Sequence, residues 1–188
     1  MSATACLVLS PPEYDKPAQT PPMLVADASF PDLRQTIYVY DLTESVEFGS
    51  AVISEDAQVP VELAIYLDYG QIGSAGRPYR RAIYPFEPIP PGTLADGARS
   101  FAGNYWYPGD VTVEPGCHTV TLMASHAFDA DVCPVESNDS SYLVWQVIRC
   151  QSSVNCDIAC EPPTCDGPQA CPKCPRPALD ASSLGGQQ

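Results

Sequence analysis

Nine cysteines and two histidines are the side chains of this 188-residue chain best suited to hold a metal, carry redox chemistry or relay a proton. The cysteines are Cys6, Cys117, Cys133, Cys150, Cys156, Cys160, Cys165, Cys171 and Cys174, and the only lysines are Lys16 and Lys173. Such density fits an oxidising compartment, where disulfides supplement a modest core. Cys171-Pro-Lys-Cys174 also has the spacing at which two thiolates share a tetrahedral zinc ion, with Cys156 and Cys160 as a looser complement. One such spacing is a weak signal, so disulfides are the expected state of the cysteines and zinc is the alternative. His118 and His126 lie eight residues apart. On one continuous strand, rising about 3.4 Å per residue, they would stand about 27 Å apart and could not share an ion or a proton relay. No Gly-x-Ser-x-Gly elbow accompanies them. No catalytic residue is expected.

Two clusters are candidates for ligand binding and one for metal. Three consecutive aromatics, Tyr105, Trp106 and Tyr107, cannot all face one core, so at least one should be exposed as a platform for sugar or peptide. Arg77, Arg80 and Arg81 make a local basic patch that would either steer an acidic ligand or pair with the chain's many carboxylates. Asp129, Asp131 and Asp139, with Glu136 and Asn138, offer hard oxygen donors for Ca²⁺, although their spacing is not that of an EF-hand. A solvated acidic loop is the simpler reading of that cluster.

The 23 Asp and Glu against 9 Lys and Arg give a net charge of -14. That charge argues against nucleic acid and against anionic membrane surfaces, both of which select basic chains. No apolar run approaches the roughly 18 residues that would span a bilayer. The first residues lack a basic n-region, and Leu7-Val8-Leu9 is too short for an h-region, so a processed or late-starting sequence is expected. Ala3-Thr4-Ala5-Cys6 loosely resembles a bacterial lipobox, which would imply a lipid anchor at Cys6. A structural half-cystine is the preferred reading.

The elements that must position these residues are strands. Val59, Val61, Leu63, Ile65, Leu67 and Tyr69 alternate with Pro60, Glu62, Ala64, Tyr66 and Asp68, which predicts a half-buried strand with its second face to water. Val120, Leu122, Ala124 and Phe128 alternate with Thr119, Thr121 and Ser125 in the same way. Tyr142 to Ile148 is apolar on both faces around Trp145, as for a central strand. Weaker strand candidates are Cys6–Leu9, Met23–Ala28, Thr36–Leu42, Val46–Ile53, Arg80–Tyr84, Ser100–Tyr105 and Asp110–Val113. Pro and Gly punctuate the intervals and helical periodicity is missing, so the expected fold is an all-β antiparallel sandwich. From Gln151 to Pro177, six Pro and five Cys come with almost no large apolar residues. The expected organisation is therefore a sandwich over 6–150, a crosslinked tail over 151–177 and a disordered end over 178–188.

Glu114-Pro115-Gly116-Cys117-His118-Thr119-Val120-Thr121-Leu122 resembles the approach to the penultimate strand of bacterial immunoglobulin-like and fibronectin-III-like domains. Tyr142 to Ile148 is similar to the last strand of the same hairpin. The resemblance implies an immunoglobulin-like sandwich of the kind found in spacers, adhesion modules and accessory domains. In such a hairpin Cys117 opens one strand and Cys150 closes its neighbour, while Cys133 lies in the connecting loop near the start of the first strand. The disulfides that follow are Cys117–Cys150 and Cys6–Cys133. The functional expectation is a non-catalytic, extracytoplasmic cell-envelope protein (periplasmic, surface-held or secreted) with a protein or glycan partner. The rivals are a carbohydrate- or calcium-binding module, a metal-binding tail on a carrier, and, last, a hydrolase.

Overall fold

The computed structural model describes residues 20–40, 43–56, 58–73, 76–110 and 113–151, together with Cys156, Cys160 and Cys174. These residues form an antiparallel, immunoglobulin-like β-sandwich with a Pro/Cys-rich C-terminal tail. The strands are β1 (Met23–Leu24), β2 (Ile37–Val39), β3 (Val46–Ile53), β4 (Glu62–Leu67), β5 (Arg81–Ile83), β6 (Arg99–Trp106), β7 (Gly116–Ser125) and β8 (Ser140–Arg149). A three-stranded sheet has the order β1-β3-β6, and a five-stranded sheet has the order β2-β8-β7-β4-β5. All pairings are antiparallel except that of β2, which lies parallel to β8. Among the described residues the helical elements are single 3₁₀ turns such as Leu94–Asp96.

The hairpin of β7 and β8 is the spine of the larger sheet. Its register runs without a break from Gly116 opposite Arg149 to Ser125 opposite Ser140. Val120 and Leu122 of β7, Leu63 and Ile65 of β4, and Trp145 and Val147 of β8 all point to the inner face and are buried. From the smaller sheet Phe48 and Val52 meet them, and the Phe48 ring stands edge-on to Trp145 with centroids 4.9 Å apart. The Trp145 indole N–H donates to the Pro31 carbonyl at 2.6 Å, so its polar edge is satisfied inside the core. Gly49 sits where the β3–β6 register shifts, and a Cβ there would lie 2.8 Å from the Phe101 carbonyl oxygen. Only glycine fits that contact.

Several expectations need correcting. The second face of β4 does not meet water. Ala64 and Tyr66 are buried in a smaller cluster with Tyr79 and Met123, packed by Tyr69, Tyr84, Phe128 and Val132. Tyrosines can line such a surface because their hydroxyls reach backbone acceptors. Tyr66 donates to the Val132 carbonyl at 2.6 Å, and Tyr79 donates to the Asp131 carbonyl at 2.5 Å. β8 shows the opposite departure. Tyr142 and Val144 stay exposed on its outer face, because the loops that cover β4 do not extend over it. Asp110–Val113 was expected as a strand, but Pro108–Asp110 is a 3₁₀ turn and Val113 is buried outside any strand. Cys6–Leu9 lies outside the described residues.

The expected disulfides are also replaced. Cys117 bonds Cys160, Cys133 bonds Cys174, and Cys150 bonds Cys156. The hairpin register explains why Cys117–Cys150 fails. Cys117 lies opposite Ile148, so Cys150 is only a diagonal neighbour. Diagonal Cα separations of about 7–8 Å exceed what a disulfide spans. Cys133, expected to meet Cys6, is already bonded to the tail, with Cα atoms 5.5 Å apart.

Trp145→Ala should therefore cost about 3–5 kcal/mol, since it empties the contact between the sheets. Val144→Ala, on the open side of the same strand, should stay within about 0.5 kcal/mol of the parent. Urea denaturation of both variants checks the pair.

Candidate functional site

The two histidines lie at opposite ends of β7, and each is enclosed by a separate set of charged partners. His118 belongs to β7, on the inward face with Val120, and His126 follows the strand's last residue. The strand between them is continuous, as the spacing implied, and keeps the two rings apart.

At the first end, β4 runs into Asp68, which takes a left-handed backbone conformation with φ 53°. Asp is one of the few residues that tolerates that geometry. Its carboxylate is fully used. Oδ1 accepts the Thr119 N–H at 3.0 Å, while Oδ2 accepts from Arg80 Nε and His118 Nδ1, each at 2.9 Å. His118 Nε2 faces the Glu114 carbonyl at 2.8 Å. Both ring nitrogens face acceptors only, so both donate and the ring is an imidazolium. Burial pushes this imidazole down, but the hydrogen bonds to Asp68 and Glu114 and the attraction of Asp68 outweigh burial and the opposing Arg80. The net result is a ring that holds its proton above the usual histidine range.

At the other end, Asp56 is completely buried between the sheets. Its Oδ1 accepts the Gly92 N–H at 3.0 Å and an Arg99 Nη2 proton at 3.1 Å, and its Oδ2 accepts the Ser54 hydroxyl at 2.8 Å. His126 Nε2 reaches the same Oδ2 at 3.1 Å, while its Nδ1 faces Asp139 at 2.8 Å. Burial raises the Asp56 carboxyl, yet bonds from Ser54, Gly92 and His126 and the Arg99 guanidinium bring it below the usual carboxylate range. The cluster joins the end of β3 and the start of β6 to the end of β7 and the start of β8. It is a polar clasp across the two sheets.

Asp56, Asp68 and Arg99 were not singled out from the sequence. Nothing in their spacing sets them apart from the chain's other charges. The one local sign was Asp68 at the end of a strongly apolar alternation, a placement that is costly unless the carboxylate is paired.

The expected ligand residues separate in the structure. Trp106 is only 2% exposed and belongs to the core, while Tyr105 and Tyr107 are exposed with ring centroids 6.4 Å apart. Arg80 is committed to Asp68, Arg77 pairs with Asp131 at 2.9 Å on the surface, and Arg81 is exposed. The acids proposed for Ca²⁺ turn to different partners. Asp129 accepts the Asp131 and Cys133 N–H groups, Asp131 meets Arg77, and Asp139 meets His126. Among the described residues, no group of three or more His, Cys, Asp or Glu is placed to hold a metal ion. Of the tail cysteines, Cys156, Cys160 and Cys174 are in disulfides, and Cys6, Cys165 and Cys171 lie outside the described residues. No helix among the described residues is long and apolar enough to cross a membrane.

The clasps set the pH dependence of stability. A raised His118 contributes stability that is complete below about pH 6.5 and is lost as pH rises through its folded value. A depressed Asp56 contributes stability present above about pH 3.8 and lost as pH falls through its folded value. The urea midpoint should be highest between these limits, and His118→Gln should flatten the alkaline side. Arg99→Met strands a buried carboxylate and should cost about 3–5 kcal/mol. Arg77→Met, which breaks a surface pair, should leave the midpoint nearly unchanged.

No protein-family model matches the chain, and no curated protein matches it. Among solved structures it is similar to the CARDB domain of a Pyrococcus furiosus protein, determined in complex with di-metal ions, at 12% identity and a TM-score of 0.33. The likeness covers 77% of this chain and all of that one. The di-metal ions belong to that protein, and the sandwich assignment here rests on the strand pairing itself.

Proposed function

We propose that the chain is an exported, non-catalytic module of the bacterial cell envelope, built as a sandwich over 6–150 with a crosslinked tail over 151–177. It acts by binding a partner or by spacing other parts of an assembly. The observation that carries this reading is the fate of the reactive side chains. Both imidazoles have each ring nitrogen bonded to an acceptor within the fold, and six of the cysteines are consumed in disulfides that bind the tail to the sandwich. A ring whose two nitrogens are both engaged inside the fold serves structure better than proton transfer, because neither nitrogen is left to meet a substrate. Disulfides of this number form and persist in oxidising compartments, which supports export. The acidic surface suits neutral or basic partners better than anionic ones.

Two measurements test this reading. Thiol titration of the denatured, unreduced protein from its native source should find no more than Cys6, Cys165 and Cys171 reactive; nine reactive thiols would contradict export into an oxidising compartment. Reduction should lower stability by up to about 4 kcal/mol for each of the two long-range links, whose half-cystines stand 43 and 41 residues apart. A reduced protein with an unchanged urea midpoint would contradict a structural role for them.

A further inference from the structure

The outer face of the five-stranded sheet carries a cleft that neither clasp uses. Its volume is about 250 Å³, just below the roughly 300–1,000 Å³ usual for ligand pockets, so it suits a single small ring. Met123 of β7 and Tyr142 of β8 form its floor, side by side in the hairpin register. Tyr69 stands at one wall, its ring fixed against Tyr66 with centroids 5.2 Å apart. Ser137 and Asn138 come from the loop before β8, and Cys174 closes the cleft from the tail.

The polar groups around the cleft have bonding capacity to spare. The Tyr69 oxygen accepts the Cys174 N–H at 3.1 Å. Burial, the largest influence on the phenol, raises it above its ordinary value, so the hydroxyl stays neutral and keeps its own proton. Among the described residues no acceptor takes that proton. The Asn138 amide and the Ser137 hydroxyl likewise have no side-chain partner there. Tyr142 is 53% exposed and offers a free aromatic face. Among the described residues no Lys or Arg lines the cleft, and the chain's charge of -14 disfavours an anion. The fitting ligand is therefore neutral and ring-shaped, with an apolar face and a polar hydroxyl edge.

We propose that this cleft binds a neutral pyranose, laid against Tyr142 and hydrogen-bonded by Asn138, Ser137 and Tyr69, and that it is complete only while Cys133–Cys174 is closed. The disulfide matters because Cys174 supplies both a wall and the N–H that orients Tyr69. This deepens the reading of the chain as a recognition module, since it names the chemical class of the partner. It also relocates sugar recognition away from Tyr105 and Tyr107, between which Trp106 is turned into the core.

The test uses the full oxidised chain and a panel of neutral methyl pyranosides (gluco, galacto, manno and N-acetylgluco), read by saturation-transfer NMR and titration. At least one should bind with a Kd on the order of 1 mM, as expected of a single ring in a small open site. Tyr142→Ala and Asn138→Ala should each weaken binding by about fivefold or more, and Tyr142→Phe should retain it because stacking survives. The Cys133→Ser, Cys174→Ser double variant should lose binding while its near-ultraviolet dichroism still reports a packed Trp145. An oxidised, folded chain that binds none of the four sugars overturns the cleft and leaves the non-catalytic module standing. Binding that ignores Tyr142→Ala, or that falls instead with Tyr105→Ala, also overturns it.

Discussion

A five-stranded sheet has two faces, and a single three-stranded partner can cover only one of them. The β7–β8 hairpin gives this sheet its length, and Trp145, Leu122 and Ile65 seal its inner side against Phe48 and Val52. Its outer side is also apolar where Tyr66, Ala64 and Met123 emerge, and that area must be covered by segments without a core of their own. Tyr69, Tyr79, Phe128 and Val132, from the loops on either side, provide the cover over β4, held by tyrosine hydroxyls on backbone carbonyls. Beyond their reach the chain uses covalent anchors. Cys117 stands on the outer face and Cys133 in the loop beside it, and each bonds a tail cysteine. Much of the architecture follows from this one need to cover the second face.

The two buried clasps perform a related task at the ends of the sheet. Where strands stop, backbone groups lose their partners, and in this sandwich carboxylates take them up. Asp68 accepts the Thr119 N–H and Asp56 accepts the Gly92 N–H, and each carboxylate also meets one histidine ring and one guanidinium. Such pairs gain little net energy over apolar packing but are costly to break, so they fix which strand ends meet. Histidine suits the position because its two ring nitrogens can each form a hydrogen bond, one to each side of the junction. The chemistry that makes these residues resemble catalytic groups in the sequence is used here to lock the fold.

The strands were largely legible from residue alternation. Val46–Ile53 matches β3, and the runs around Leu63, Leu122 and Trp145 became β4, β7 and β8. Alternation reports which side chains share a face, but not what covers that face. It therefore misjudged Tyr66 as facing water and Tyr142 as buried. The cysteine pairs were misread for a similar reason. A pairing inferred from strand ends assumes partners within the sandwich, whereas the hairpin register offsets Cys117 from Cys150 and leaves each bonded to the tail. The pairing of Asp56 and Asp68 with the histidines was not legible, because these acids lie 70 and 50 residues away in sequence from the rings they hold. The aromatic run was half legible: at least one of three rings had to be exposed, and the structure leaves Tyr105 and Tyr107 outside while it buries Trp106.

The central claim is that the tail is stapled to the outer side of the larger sheet. Peptide mapping of the unreduced protein by mass spectrometry tests it most directly. The account predicts crosslinked peptides joining Cys117 to Cys160, Cys133 to Cys174 and Cys150 to Cys156. Recovery of a Cys117–Cys150 or Cys6–Cys133 peptide, or of a tail whose cysteines bond only one another, would contradict it.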